Sequence, residues 1–280
     1  KQLDYLQKKY HIINQEDLHD YFVNKKKFNK KLCMLTFDDG YINHFNNVYP
    51  ELKKRNLQGF FFPPSKAIIS KKLMDSNKAH ILLASKVSIK KLNEELKKIY
   101  NELNIQKKTK TSFENLEKKF KKPSGFDKPE VIFFKRIMQF VIPLNLRKKV
   151  FDKLFKKFVK QNEKALANNL YITLSNAKEM VANGMFFGNH CFNHLWLEHE
   201  SKKKQDFEIT QGLKFLKKIG MDLNNWIMCY PYGSYNNNTL KILRSKKCFI
   251  GFTSLNKAFN QKKYSRFEIP RIDCNNVFEY

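Results

Sequence analysis

The chain has 280 residues, of which 42% are apolar and 26 are phenylalanine. That is enough to bury a sizeable core within one domain, and it excludes a disordered chain. The net charge of +28 comes from 48 Lys and only 6 Arg, which argues against a specific nucleic-acid binder, because base and phosphate recognition leans on the Arg fork.

Residues 2–23 read as helical, broken by KYHII as a short strand, with helix resuming at Gln15. KLCMLTF, 31–37, reads as a strand that runs straight into Asp38 and Asp39. NHFNNVYPELKKRN, 43–56, has apolar residues at helical spacing with a proline inside it. GFFFPPS, 59–65, is a second buried strand stopped by two prolines. Strand, helix, strand at this spacing is a βαβ unit, so parallel pairing is expected.

From 71 to 165 the character changes to Lys-rich helices, with 26 Lys and Arg against 10 Asp and Glu, or +16 of the total charge. FKKPSGFDKP, 120–129, is its most loop-like stretch, and VIFFKRIMQFVIPL reads as an amphipathic core helix rather than a membrane anchor. The segment reads as a helical insertion in a single domain spanning 1–280, covering or extending it.

Alternation then resumes. TLSNAKEMVANG, 173–184, is a helix with Ser175 as its expected N-cap and Gly184 as its stop. MFFGNH is a strand, 202–220 a helix, NWIMCYPYG a strand and turn, NNTLKILRSKK a helix, FIGFTS a strand, and RFEIPRID ends the series. An α/β chain with chemistry-bearing residues after each strand has the grammar of a β/α barrel, whose sites collect at the C-terminal strand ends.

Two motifs carry the chemistry. Adjacent carboxylates at Asp38 and Asp39 repel, so one needs a cation or a shared proton. A metal answers this if one Asp ligates and the other stays free as a base; a solvated Asp-Gly turn is the plain alternative. FFGNHCFNHLWL, 186–197, then offers His190 and His194 at i and i+4, one face of a helix. Asp with two His suits Zn²⁺ first, with Co²⁺, Ni²⁺ or Mn²⁺ also compatible. Three protein ligands leave open positions, as catalytic sites do.

TFDDG with a later GNHxxxHxxL resembles the polysaccharide deacetylases, the NodB-homology or family 4 carbohydrate esterases. The resemblance covers roughly 1–70 and 170–275. It implies a distorted (β/α)₇ barrel, here with a large helical insertion, and one divalent metal. The implied activity is removal of an N-acetyl (sometimes N-formyl or O-acetyl) group from a sugar. By matching position it implies Asp38 as the catalytic base and Asp39, His190 and His194 as metal ligands. YPYG, 230–233, resembles the third motif, with Pro231 and Tyr232 beside the oxyanion and the Tyr232 N–H as a donor.

Departures follow. The Arg that precedes Pro-Tyr in many members is Cys229 or Tyr230 here, and Arg271 in IPRID is the candidate to orient the catalytic Asp in its place. The late Leu-x-His motif is absent, since no His follows 199. His80, just after the second strand, is the candidate general acid, with His44 and His199 as lesser choices. Tyr235 is a plausible sugar contact, whereas Trp196 and Trp226 read first as core, and Cys191 as packed inward.

Five unpaired-looking cysteines favour a reducing, cytoplasmic setting, with no run of 18 apolar residues to span a membrane. The chain begins at Lys1, not Met, which leaves room for a segment upstream. The Lys excess fits an AT-rich genome first, and after it an acylated amino sugar linked to nucleotide or lipid phosphate, or peripheral membrane contact. The competing functional reading is an inactive deacetylase-like barrel that binds glycan without turnover.

Overall fold

The computed structural model describes residues 1–123 and 127–279; the centre of the FKKPSGFDKP stretch lies outside them. Helix α1 (Gln2–Lys9) leads into strand β1 (His11–Ile12) and helix α2 (Gln15–His19). Strands β2 (Leu32–Cys33) and β3 (Thr36–Asp38) follow, then a π-turn at His44–Val48 and helix α3 (Tyr49–Lys54). Pro50 is accommodated in the first turn of α3, where its missing N–H costs no helical bond.

Strand β4 (Phe60–Phe62) ends at Pro63, and helix α4 (Ser65–Ser70) follows. Seven helices then occupy the Lys-rich segment: α5 (Asp75–Leu83), α6 (Ile89–Glu102), α7 (Ile105–Thr109), α8 (Phe113–Phe120), α9 (Pro129–Arg136), α10 (Leu144–Phe158) and α11 (Glu163–Leu170). Helix α12 (Leu174–Ala182), strand β5 (Phe186–Phe187), helix α13 (Lys202–Lys218), strand β6 (Ile227–Cys229), helix α14 (Asn237–Ser245) and strand β7 (Ile250–Phe252) complete the alternation. The N-cap of α12 is Thr173, not Ser175: its hydroxyl accepts from Asn176 N–H while the Asn176 side chain accepts from Thr173 N–H. That reciprocal pair fixes the helix start two residues earlier than expected.

All ladders are parallel: β1 with β2, β3 with β4 and β4 with β5, and β6 with β7. Single bridges Asn189–Met228 and Phe252–Ile269 extend the succession. Among the described residues no strand pairing returns from the last segment to the first. The closed, distorted (β/α)₇ barrel expected from the resemblance is therefore an open arc here. Strands of two or three residues make few bonds, and side chains do the closing. Ile13 and Leu18 share one buried cluster with Phe60, Phe62, Phe186, Ile227, Ile250, Phe252 and Ile269.

The two-residue period of a strand sorts the side chains. Phe60 and Phe62 face that inner cluster, and Phe61 faces the outer one with Phe187 and Met228. Thr36 and Asp38 pair with Phe60 and Phe62, so the same alternation turns Asp38 inward at a strand end. The insertion has its own core, in which Leu92, Leu96, Tyr100, Phe133, Phe134, Phe151 and Leu154 are buried. No helix among the described residues is long and apolar enough to cross a membrane.

Phe60 is fully buried in the inner cluster. Phe60→Ala is expected to cost about 3–5 kcal/mol in urea-induced unfolding. A loss below about 1 kcal/mol would mean that the arc is held by something other than its interior.

Candidate active site

The site begins where β3 stops. Asp39 and Gly40 both adopt left-handed backbone, φ 71° and 67°. Gly40 is needed because a Cβ there would lie 2.6 Å from the Pro63 Cβ. Asp39 bears the same turn with a side chain, held by its N–H to the Phe62 carbonyl at 3.0 Å. The turn separates the two carboxylates that the sequence places side by side.

Asp38 is bound by Arg271, whose two terminal nitrogens donate to its two oxygens at 2.9 and 2.7 Å. Arg271 also donates to Thr36 Oγ1 and to the Thr253 carbonyl, so its fork is fixed from three sides. Burial alone would raise the Asp38 pKa, but the charge and bonds of Arg271 outweigh it and hold it down to about 2. The Cys229 thiol approaches the same carboxylate at 3.5 Å.

Asp39 faces the two histidines. Its Oδ1 lies 3.3 Å from His194 Nε2 and 3.8 Å from His190 Nε2. The ligand atoms of Asp39, His190 and His194 all fall within 4.8 Å of one another, and so do those of Asp38, His190 and Cys229. His190 is 3% exposed, and its Nδ1–H donates to the Cys229 carbonyl at 2.6 Å. That bond leaves the Nε2 lone pair facing Asp39, the tautomer a metal ligand needs. Burial lowers the His194 pKa to about 4 against the pull of Asp39, which favours the neutral form of this ring. A divalent cation fits such a set of one carboxylate and two imidazoles.

The helix expected to carry His190 and His194 is absent. Residues 190–196 form an irregular loop in which Cys191 and His194 have φ of 62° and 56°. Glu208 on α13, fully buried, organises this loop by accepting from the Phe192 N–H, the Asn193 N–H and the Asn193 side-chain amide. The Asn189 side chain donates to the Ile209 carbonyl and accepts from the Cys191 N–H. Gly212 makes room for it, since a Cβ there would overlap the Asn189 amide. Nothing in the sequence singled out Glu208, because Glu among Lys on a helix reads as a solvated face.

On the other side, Tyr41 OH donates to Asp39 Oδ2 at 3.3 Å and accepts from Asn77 Nδ2 of α5 at 2.8 Å. Asn77 in turn accepts from Tyr171 OH. The insertion thus props a residue of the Asp–His cluster. Tyr41 follows Asp-Asp-Gly directly, and that adjacency was the only signal for it.

Tyr232 lies in the Pro231–Gly233 turn with φ 59°. Its ring meets His194 edge-on at 4.6 Å and stacks on Trp196 at 4.8 Å. Trp196 also receives Arg136 and Phe140 of the insertion, and Phe140 stacks on His199. Trp196 is therefore a link between loop and insertion, while Trp226 is fully buried core with Nε1–H donated to the Lys246 carbonyl. Tyr235 donates to Glu268 and stacks on Tyr230. His44 sits among Phe37, Tyr41 and Phe61. His80 is exposed on α5, in a depression with Asp127 and Lys135. Among the described residues no bond or ring contact joins it to Asp38 or to the paired histidines.

A family model described as polysaccharide deacetylase matches residues 25–122 and 145–248. The chain belongs to the polysaccharide deacetylase family. Solved structures of similar fold include the deacetylase PplD of Streptococcus pyogenes, in complex with acetate: 18% identity and TM-score 0.57, over 99% of this chain and 83% of that one. IcaB from Ammonifex degensii gives 16% identity and TM-score 0.57, over 99% and 84%. The BpsB deacetylase domain from Bordetella bronchiseptica gives 12% identity and TM-score 0.54, over 96% and 81%. No curated protein matches. TFDDG at 36–40 and the His190–His194 loop both lie within the matched residues.

Glu208→Ala leaves three donors around the loop unpaired. It is expected to destabilise the fold by about 3 kcal/mol in denaturant unfolding and to weaken divalent-metal binding in a competition titration. Metal affinity equal to wild type would show that the loop holds its shape without Glu208.

Proposed function

We propose that the chain is a divalent-metal-dependent hydrolase that removes an N-acetyl, or N-formyl, group from an amino sugar during surface-glycan building. The reading is carried by one juxtaposition: an Asp39–His190–His194 cluster beside a second carboxylate, Asp38, that Arg271 keeps ionised. Asp39, His190 and His194 would hold the metal, with Zn²⁺ the first choice and Co²⁺, Ni²⁺ or Mn²⁺ compatible with the same donors. A dication bound there supplies polarisation of the amide carbonyl and acidification of a water molecule.

The remaining work falls to the chain. Asp38 accepts the proton of the attacking water, and Arg271 fixes the carboxylate in one orientation for that transfer. The Tyr232 N–H, presented by the Pro231 turn, is the proposed partner of the developing oxyanion. The departing amine needs a proton. Asp38, having just taken one, is one group able to return it. His80, the acid expected from the sequence, is the other candidate; it lines a depression with Asp127 and Lys135. Tyr235, held by Glu268, is the proposed sugar contact beside that turn.

All five cysteines are free, which supports a reducing, cytoplasmic setting. The +16 charge of the insertion supports a substrate carried on nucleotide or lipid phosphate, or transient contact with an anionic membrane surface.

Elemental analysis should find about one transition metal per chain in the wild type, and none in His190→Ala. Asp38→Asn should keep the metal and lose acetate or formate release by about 10²–10⁴-fold. A wild type that takes up no metal from Zn²⁺, Co²⁺ or Mn²⁺ sinks the mechanism. Metal without any acyl release from a panel of acylated amino sugars would favour the glycan-binding alternative.

A further inference from the structure

We infer that Cys229 is a metal ligand: its thiolate, with Asp38 and His190, forms a second position for a divalent cation, one that takes thiophilic ions and lies on the proposed base itself. The consequence for turnover rests on the deacetylase reading; the ligation does not.

Cys229 ends strand β6, at one of the two positions where the resemblance expects an arginine. Its sulfur is turned onto the Asp38 carboxylate, 3.6 Å from Oδ1 and 3.5 Å from Oδ2. The donor atoms of Asp38, His190 and Cys229 lie within 4.8 Å of one another, the same limit that encloses Asp39, His190 and His194. Metal bonds of about 2.0 Å to oxygen and about 2.3 Å to sulfur, at a tetrahedral angle, set two such donors about 3.5 Å apart. The Cys229–Asp38 pair already has that spacing. His190 commits Nδ1 to the Cys229 carbonyl at 2.6 Å, so Nε2 serves either set. The two positions therefore compete for one imidazole, and a cation occupies one or the other. A thiol that only packs looks different. Cys248, also buried, gives its S–H to the Ile250 carbonyl. Among the described residues neither it nor Cys191 joins a ligand cluster.

The charges balance at this position. Asp38, Asp39 and a Cys229 thiolate are matched by Arg271 and one dication. Arg271 takes one lone pair on each Asp38 oxygen, and an ionised carboxylate keeps a second on each. As the metal–sulfur bond forms, the thiol proton leaves to solvent, and nothing is oxidised or reduced. The Asp38 and Asp39 side chains are 29% and 28% exposed, so a cation can enter past them. Thiolate selects soft and borderline ions such as Cd²⁺ and Zn²⁺ over Mn²⁺. A cation held there engages the carboxylate that would take the water proton, and it draws His190 from the other set. A hard ion stays with Asp39, His190 and His194 and leaves Asp38 free. The cluster thus responds to the identity of its metal, and a thiophilic ion arrests it.

The test adds Co²⁺, Cd²⁺ or Mn²⁺ to the full-length chain after a chelator has stripped it of metal. Wild type with Co²⁺ is expected to show the near-ultraviolet band of thiolate-to-cobalt charge transfer. Cys229→Ser should lose the band, and Cys191→Ser should keep it. His194→Ala removes a ligand of the other set alone, so the band should persist and strengthen. Cys229→Ser should also weaken Cd²⁺ binding about tenfold relative to Mn²⁺ in a competition titration. Bound Co²⁺ without the band in wild type, or a band that a folded His194→Ala variant loses, overturns the thiolate position and leaves the deacetylase reading standing. No bound cation of any kind sinks both. The Cys229 band in a protein that releases no acyl group when loaded with Mn²⁺ sinks the deacetylase reading alone.

Discussion

Two carboxylates stand on successive residues at the end of a half-buried strand, and the site is arranged around the repulsion between them. Repulsion between such neighbours would otherwise drive a proton onto one of them. The structure gives each its own compensation. Asp38 faces inward to the bidentate fork of Arg271. Asp39 is swung away by left-handed backbone toward His190 and His194. One aspartate is thus tied to a fixed cation of the chain, and the other is left with donors that suit a metal.

Keeping the histidines there requires a loop that would not hold itself. Its left-handed residues, Cys191 and His194, carry side chains that disfavour the conformation. The cost is offset by buried acceptors: Glu208 collects three donors of the loop, and Asn189 ties it to the backbone of α13. The Cys229 carbonyl then sets the His190 tautomer. These groups touch no substrate, yet they decide the direction in which the ligand atoms point.

The insertion is joined to the same machinery at two places. Asn77 reaches Asp39 through Tyr41. Arg136 and Phe140 pack on Trp196, which stacks on Tyr232 beside His194. A helical segment with its own core is therefore in contact with both sides of the Asp–His cluster. Changes in this segment would be felt at Asp39, His190 and His194.

The sequence by itself determined the strand–helix alternation, because runs such as GFFFPPS and KLCMLTF are apolar at strand length and are punctuated by Pro and Gly. It also determined the candidate ligands, because Asp38–Asp39 and His190–His194 carry their chemistry in residue type and spacing. It singled out Arg271 as a partner for Asp38, since the third-motif Arg expected from the resemblance is missing. Periodicity misread the His190–His194 stretch as helix, because i and i+4 spacing says nothing about two residues with positive φ. Only the tertiary structure decided that the arc stays open, that Glu208 is a buried organiser rather than a surface charge, and that His80 belongs to a neighbouring cavity. Each of those depends on contacts between residues far apart in the chain, from Arg271 to Asp38 and from Glu208 to the loop, and local pattern carries no record of such contacts.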